Sequence, residues 1–266
     1  MRGTGLFTVI VVFITVFASI YRIQTLHKKK IWNLSIQQLI HLVLIPGILF
    51  PMIFSYLLHV TQLPRSEAVF LSDTFLVDTV LLSILFAYGG IAIHAVTKML
   101  QEYLQTESEA RQINAFFHTT FSHNMAYGGV VLASLGLTLL ELNHISPQAH
   151  VSYWGGLLRG LLLGGSFFLA VFNYTRYTGG DYGRWNDLKV TFGVIWVAFA
   201  VLLYAIQRFD PRFSEYQLLL PMLLSFSIMA VLSLVLVFRR LKRGRWRVDV
   251  ERKELERYLS LEERAS

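Results

Sequence analysis

The sequence predicts an all-α fold: a polytopic membrane protein, a seven-transmembrane-helix bundle with its N-terminus outside and its C-terminus cytoplasmic. Three observations predict it. The 266-residue chain is 54% hydrophobic and 15% charged, where a soluble domain carries about a quarter charged residues. Its apolar runs reach the roughly 20 helical residues that cross about 30 Å of hydrocarbon. Its basic residues are lopsided. Of 24 Lys and Arg, 19 fall on the loops after spans one, three and five and on the C-terminal tail, with Lys98 and Lys189 at span ends counted in their loops; 4 fall on the other side, and Arg159 lies inside a span. The side rich in Lys and Arg is the cytoplasmic one.

The formal charge of +7 sits beside membrane segments, where anionic headgroups account for it. It does not read as a nucleic-acid surface. With no cysteine, disulfides, thiolate metal sites and lipid-modified cysteines are excluded, so any metal would need His and carboxylate ligands. Short loops and few targeting signals suggest a bacterial cytoplasmic membrane. Two segments are expected: a seven-helix domain over residues 1–238, and a basic juxtamembrane segment with an amphipathic helix over 239–266.

Span one covers about Gly5–Ile20. It resembles a signal peptide in length, but Lys28-Lys29-Lys30 follows it rather than preceding it, so it is expected to remain as an anchor. Span two, Ile36–Leu63, carries Pro46, Gly47 and Pro51. Proline removes a backbone donor and clashes with the preceding turn, so a kink or local unwinding is expected there.

Span three, Phe70–Leu100, is the unusual one. At 100° per residue, Asp73, Ser83, Tyr88, His94, Thr97 and Lys98 form one polar stripe that should face the bundle interior; Asp78 lies about 140° away from Asp73. The chain then enters a polar arm ending in Phe-Phe-His-Thr-Thr-Phe-Ser-His, Phe116–His123. The arm is expected to fold back as an amphipathic helix with Phe116, Phe117 and Phe121 against the bundle.

Span four is about Met125–Leu142 and span five Ser152–Tyr174. Arg159 is placed at the depth of Asp78, and an isolated intramembrane charge is costly. An intramembrane ion pair of Arg159 with Asp78 or Asp73 is therefore expected. Gly156, Gly160 and Gly164 recur every four residues, the spacing that lets two helix backbones approach, here within the chain. The tetrapeptide Ala-Tyr-Gly-Gly occurs at 87–90 and again at 126–129, where the two copies could make one tight crossing. Apart from Lys189 at the start of the sixth, spans six, Leu188–Ile206, and seven, Gln217–Phe238, carry no internal charge, and the seventh has no lysine to hold a retinal Schiff base. Arg239–Arg247 is a basic patch suited to anionic lipid headgroups.

The candidate ligand pocket lies toward the cytoplasmic side and comprises His41, Tyr88, His94, His118, His123 and Asn173. Converging imidazoles suit zinc, or two of them a haem iron, with His41, His94, His118 and His123 as the candidate ligands. Two features weigh against a metal. His118 and His123 stand five apart, about 140° around an α-helix, and no His-x-x-x-His or His-Glu-x-x-His pair occurs. No nucleophile motif stands out. The leading expectation is therefore a ligand-binding, sensor or accessory membrane protein without a cofactor. The alternatives are a metal- or haem-dependent enzyme or electron carrier using these histidines, and a small transporter with Asp73, Asp78 and Arg159 on its path.

Overall fold

The computed structural model describes residues 3–22, 29–66, 71–105, 108–144, 152–177 and 216–242. The chain is mostly helical. Helix α1 spans Gly3–Arg22, α2 Ile36–Thr61, α3 Asp73–Leu100, α4 Glu109–Phe116, α5 Ser122–Leu142, α6 Tyr153–Tyr177 and α7 Leu219–Lys242. Among the described residues, four stretches are long and apolar enough to cross a membrane: Gly3–Ile20, α2, α3 and α5. Expected span six, the C-terminal surface helix and the basic patch beyond Lys242 lie outside the described residues.

Local chemistry sets the helix starts. Ser35 and Gln38 form a reciprocal capping box at the start of α2, satisfying two backbone donors that the first turn leaves open. Ser72 caps α3, and Asp73 in the first turn suits the positive end of the helix dipole. Between α1 and α2, Lys30–Ile31 (β1) and Leu34–Ser35 (β2) pair antiparallel across a two-residue turn. Both turn residues, Trp32 and Asn33, have positive φ, 51° and 64°, as a primed hairpin turn requires.

The expected distortion in α2 takes the form of a π-helical stretch, Ile40–Leu49, which contains Pro46. Hydrogen bonds closed at i→i+5 widen the helix and relieve the clash a proline ring makes with the previous turn. A second π-helical stretch, Phe117–Phe121, joins α4 directly to α5.

Helix α3 packs along α5, while α6 packs on α7 and on α1; α2 touches both groups. Buried Phe7, Tyr56, Leu76, Leu140, Leu163 and Phe226 belong to the shared core. The α3–α5 crossing is a close one, and it falls on the two Ala-Tyr-Gly-Gly copies. A Cβ on Gly90 would stand 2.4 Å from Ala126 N and 2.5 Å from Ser122 O. A Cβ on Gly129 would stand 2.5 Å from Ser83 O and 2.6 Å from Ala87 N. Each copy's second glycine thus lies on the other copy's alanine, so the crossing is locally reciprocal. On α6, Gly156, Gly160 and Gly164 face Leu220, Leu224 and Ser225 of α7, with virtual Cβ contacts of 2.9–3.0 Å. These glycines sit at a helix contact within the chain. Neighbouring Gly165 meets nothing within 4 Å.

Candidate functional site

Two polar clusters lie near opposite ends of α5. Glu141 and His123 mark them, about 27 Å apart at 1.5 Å per residue. Between them is an apolar cavity of about 110 Å³ lined by residues such as Phe7, Phe50, Ile84, Leu137 and Met222.

The first cluster is centred on His94, on the polar stripe of α3. Its ring lies 5.5 Å from that of His41, 4.3 Å from that of His118 and 4.6 Å from that of His123, centroid to centroid. Four imidazoles therefore come together from α2, α3, the π-helical arm and α5. His41 and His118 both sit on π-helical stretches, the rare helix form that recurs at functional sites. The expectation that His118 and His123 diverge is corrected here. The wider π turn sets residues five apart nearly above one another, and the two ring centroids lie 6.2 Å apart.

The arm is inverted relative to expectation. Phe116, Phe117 and Phe121 are 53%, 38% and 38% exposed, stacked edge-on along the outer face, while Asn114, His118 and Ser122 turn inward. Asn114 Nδ2 donates to Thr97 O at 2.9 Å, Thr97 Oγ1 lies 3.1 Å from His118 Nδ1, and Ser122 Oγ donates to His118 O at 2.6 Å. The physical reason is that buried polar groups need partners inside the protein, and pairing them there leaves the phenylalanines on the other face.

Tyr88 is not brought to the imidazoles. It packs edge-on against Phe50 at 5.7 Å. The tyrosine of the second Ala-Tyr-Gly-Gly copy, Tyr127, stacks on His123 at 6.5 Å instead. Asn173 lies on α6, and its side chain is outside the described residues. Sequence reasoning also missed Gln37, which accepts a hydrogen bond from Lys98 Nζ. The signal was there: Gln37 and Lys98 each lie four residues from a cluster histidine on their own helix, hence on the same face.

Burial, and next to it the charge of Lys98, pushes the His118 imidazole down to about 4. The folded ring is then neutral where the unfolded one, near its ordinary 6.5, takes up a proton. Between those values the unfolded state binds more protons, so stability falls as pH drops from about 6.5 toward 4. His118→Gln should flatten this loss when unfolding midpoints are compared between pH 7.5 and 5. An unchanged pH slope would remove His118 as its source.

No three His, Asp or Glu donors among the described residues are placed to hold one metal ion. The cause is visible in the rings. His94 and His118 stack with planes only 21° apart, and an imidazole lone pair lies in its own ring plane, so two stacked rings do not point at a shared ion.

The second cluster was largely missed. Glu141, 4% exposed, accepts hydrogen bonds from Gln217 N and Leu218 N, both at 2.8 Å, and from the Tyr56 hydroxyl at 3.1 Å. It thereby caps the start of α7 and ties it to α2 and α5. In sequence an acid in Glu-Leu-Asn-His at a span's end reads as interfacial. The expected pair of Arg159 with Asp78 or Asp73 is not formed. Helix α6 packs on α1 and α7 rather than α3, so Arg159 reaches Gly155 O at 3.0 Å, Thr8 Oγ1 at 3.3 Å and the face of the Phe7 ring at 5.6 Å. Asp78 is exposed. Asp73 instead binds Asn143 Nδ2 at 2.9 Å, with His144 Nε2 at 3.3 Å and Arg65 Nε at 3.6 Å.

No family model, curated protein or solved structure matches the chain.

Proposed function

We propose that this chain is a seven-span membrane protein, N-terminus outside and C-terminus cytoplasmic, that binds a ligand at the imidazole cluster and acts as a receptor, sensor or accessory protein. The lopsided Lys and Arg distribution supports the orientation, and α6 and α7 fall where spans five and seven are expected. Basic residues from Arg239 onward would hold anionic headgroups on the cytoplasmic face.

The observation that carries the ligand reading is the unsatisfied centre of the cluster. His94 is 8% exposed, and its Nδ1 is buried with no hydrogen-bond partner among the described residues. Leaving such an atom unpaired costs about 1–3 kcal/mol. A site kept at that cost fits a group that a ligand completes, since functional sites trade stability for binding.

His94→Leu tests this. In detergent, the substitution removes the unpaired nitrogen and should raise the unfolding midpoint by about 2–4 °C, equivalent to about 1 kcal/mol for a chain of this size. Native mass spectra of both proteins show whether a ligand co-purifies. A bound mass lost in His94→Leu also supports the site. A lowered midpoint with no bound mass in the wild type would make the cluster a packing element and end the reading.

A further inference from the structure

Resting on the reading of this cluster as a ligand site, we infer that its ligand is a phosphate-type oxyanion. Helices α2 and α3 run antiparallel and face each other in two rungs one turn apart. Gln37 stands opposite Lys98, and His41 opposite His94. The lower rung repeats the feature of the upper one. Gln37 is 3% exposed; its Oε1 accepts from Lys98 Nζ, while its Nε2 is buried with no hydrogen-bond partner among the described residues. Two side chains, each more than nine-tenths buried, thus carry an unmatched nitrogen on successive rungs beside a lysine.

The chemistry of these groups has one sign. An amide nitrogen and an ammonium donate, and an imidazole Nδ1 donates in the tautomer that carries its hydrogen there. The charged and titratable groups around His94 are Lys98 on its own helix, His41 from α2, His118 from the arm and His123 from α5. Among the described residues no carboxylate belongs to the set. Glu102, one turn beyond Lys98, is engaged by Lys30 at 2.8 Å. A cation entering here would meet Lys98, whose charge Glu102 offsets only from one turn away and while bound to Lys30. An oxyanion would accept from Lys98 Nζ, Gln37 Nε2 and His94 Nδ1 together, and a phosphate has acceptor oxygens for all three, with charge-assisted bonds the strongest of its contacts. The Lys98 end of α3 closes a candidate span, so the phosphate could be free in solution or the headgroup of a lipid.

The test uses the full chain. Its unfolding midpoint is followed in detergent against inorganic phosphate, with chloride at matched ionic strength as reference. It is also followed in nanodiscs of phosphatidylcholine with and without phosphatidylglycerol. Binding to the folded state raises the midpoint in a saturable way. A rise with inorganic phosphate assigns the free anion, and a rise only with phosphatidylglycerol assigns the headgroup. In either case Lys98→Gln and His94→Leu should weaken binding by about tenfold or more, the equivalent of about 1.4 kcal/mol, and Lys98→Arg should retain it. No rise from either source, a rise that survives both substitutions, or a rise with zinc chloride in place of phosphate would overturn the oxyanion. If His94→Leu alone raises the midpoint while neither phosphate source acts on the wild type, the ligand site stands and only the oxyanion falls. If His94→Leu lowers it and no bound mass is found, both fall.

Discussion

Gly90→Ala and Gly129→Ala should each lose about 3 kcal/mol of stability or fail to accumulate as folded protein, while Gly128→Ala, one residue away, should be neutral or slightly stabilising. The contrast comes from what a methyl group would meet. At Gly90 and Gly129 it would lie 2.4–2.6 Å from backbone atoms of the facing helix. Backbone cannot step aside as a flexible side chain does, so the cost belongs at the upper end of the roughly 1–3 kcal/mol typical of overpacking. At Gly128 no described residue lies within 4 Å, and alanine gains up to about 1 kcal/mol of helix propensity over glycine. Unfolding midpoints of the three variants in one detergent decide the matter. The double variant should cost less than the sum of its parts, because helices already pushed apart by one methyl accommodate the second. Wild-type stability in Gly129→Ala would show that α3 and α5 do not meet on these glycines.

Glu141→Ala should cost about 3–5 kcal/mol, lowering the midpoint by about 10 °C. The carboxylate is the acceptor for Gln217 N, Leu218 N and the Tyr56 hydroxyl. Removing it strands all three donors away from water, each at a cost of about 1–3 kcal/mol. Tyr56→Phe removes only one of the bonds and should cost about 1 kcal/mol. Glu141→Gln should fall between them, because its amide nitrogen would face a backbone donor where an acceptor is needed. Combining Glu141→Ala with Tyr56→Phe should recover part of the loss, since the hydroxyl is no longer left without its acceptor. If Glu141→Ala unfolded at the wild-type midpoint, the start of α7 would not depend on this residue.

Much of the site was legible before any coordinates. Four histidines assigned to the cytoplasmic side, His41 and His94 in their spans and His118 and His123 on the polar arm, do lie close together, because a membrane bundle turns its polar stripes inward. The glycine spacing on α6 and the doubled Ala-Tyr-Gly-Gly also mark real helix contacts, since small residues at helical intervals have few other uses in an apolar segment.

What the sequence determined by itself was therefore periodicity, depth and polarity: a helical membrane protein, the polar face of α3, and the level at which the histidines lie. Which charges meet was decided only by tertiary structure. Depth placed Arg159 level with Asp78, but pairing needs adjacent helices, and α6 packs on α1. The π-helical turns were likewise beyond a reading at 100° per residue, because one shifted hydrogen bond changes which side chains align. That shift brought His118 beside His123 and turned the arm's phenylalanines outward. Glu141 shows the same limit from the other side. An acid at a helix end is cheap in water and costly when buried, and only the fold, by setting the first backbone donors of α7 against it, makes burial the favourable choice.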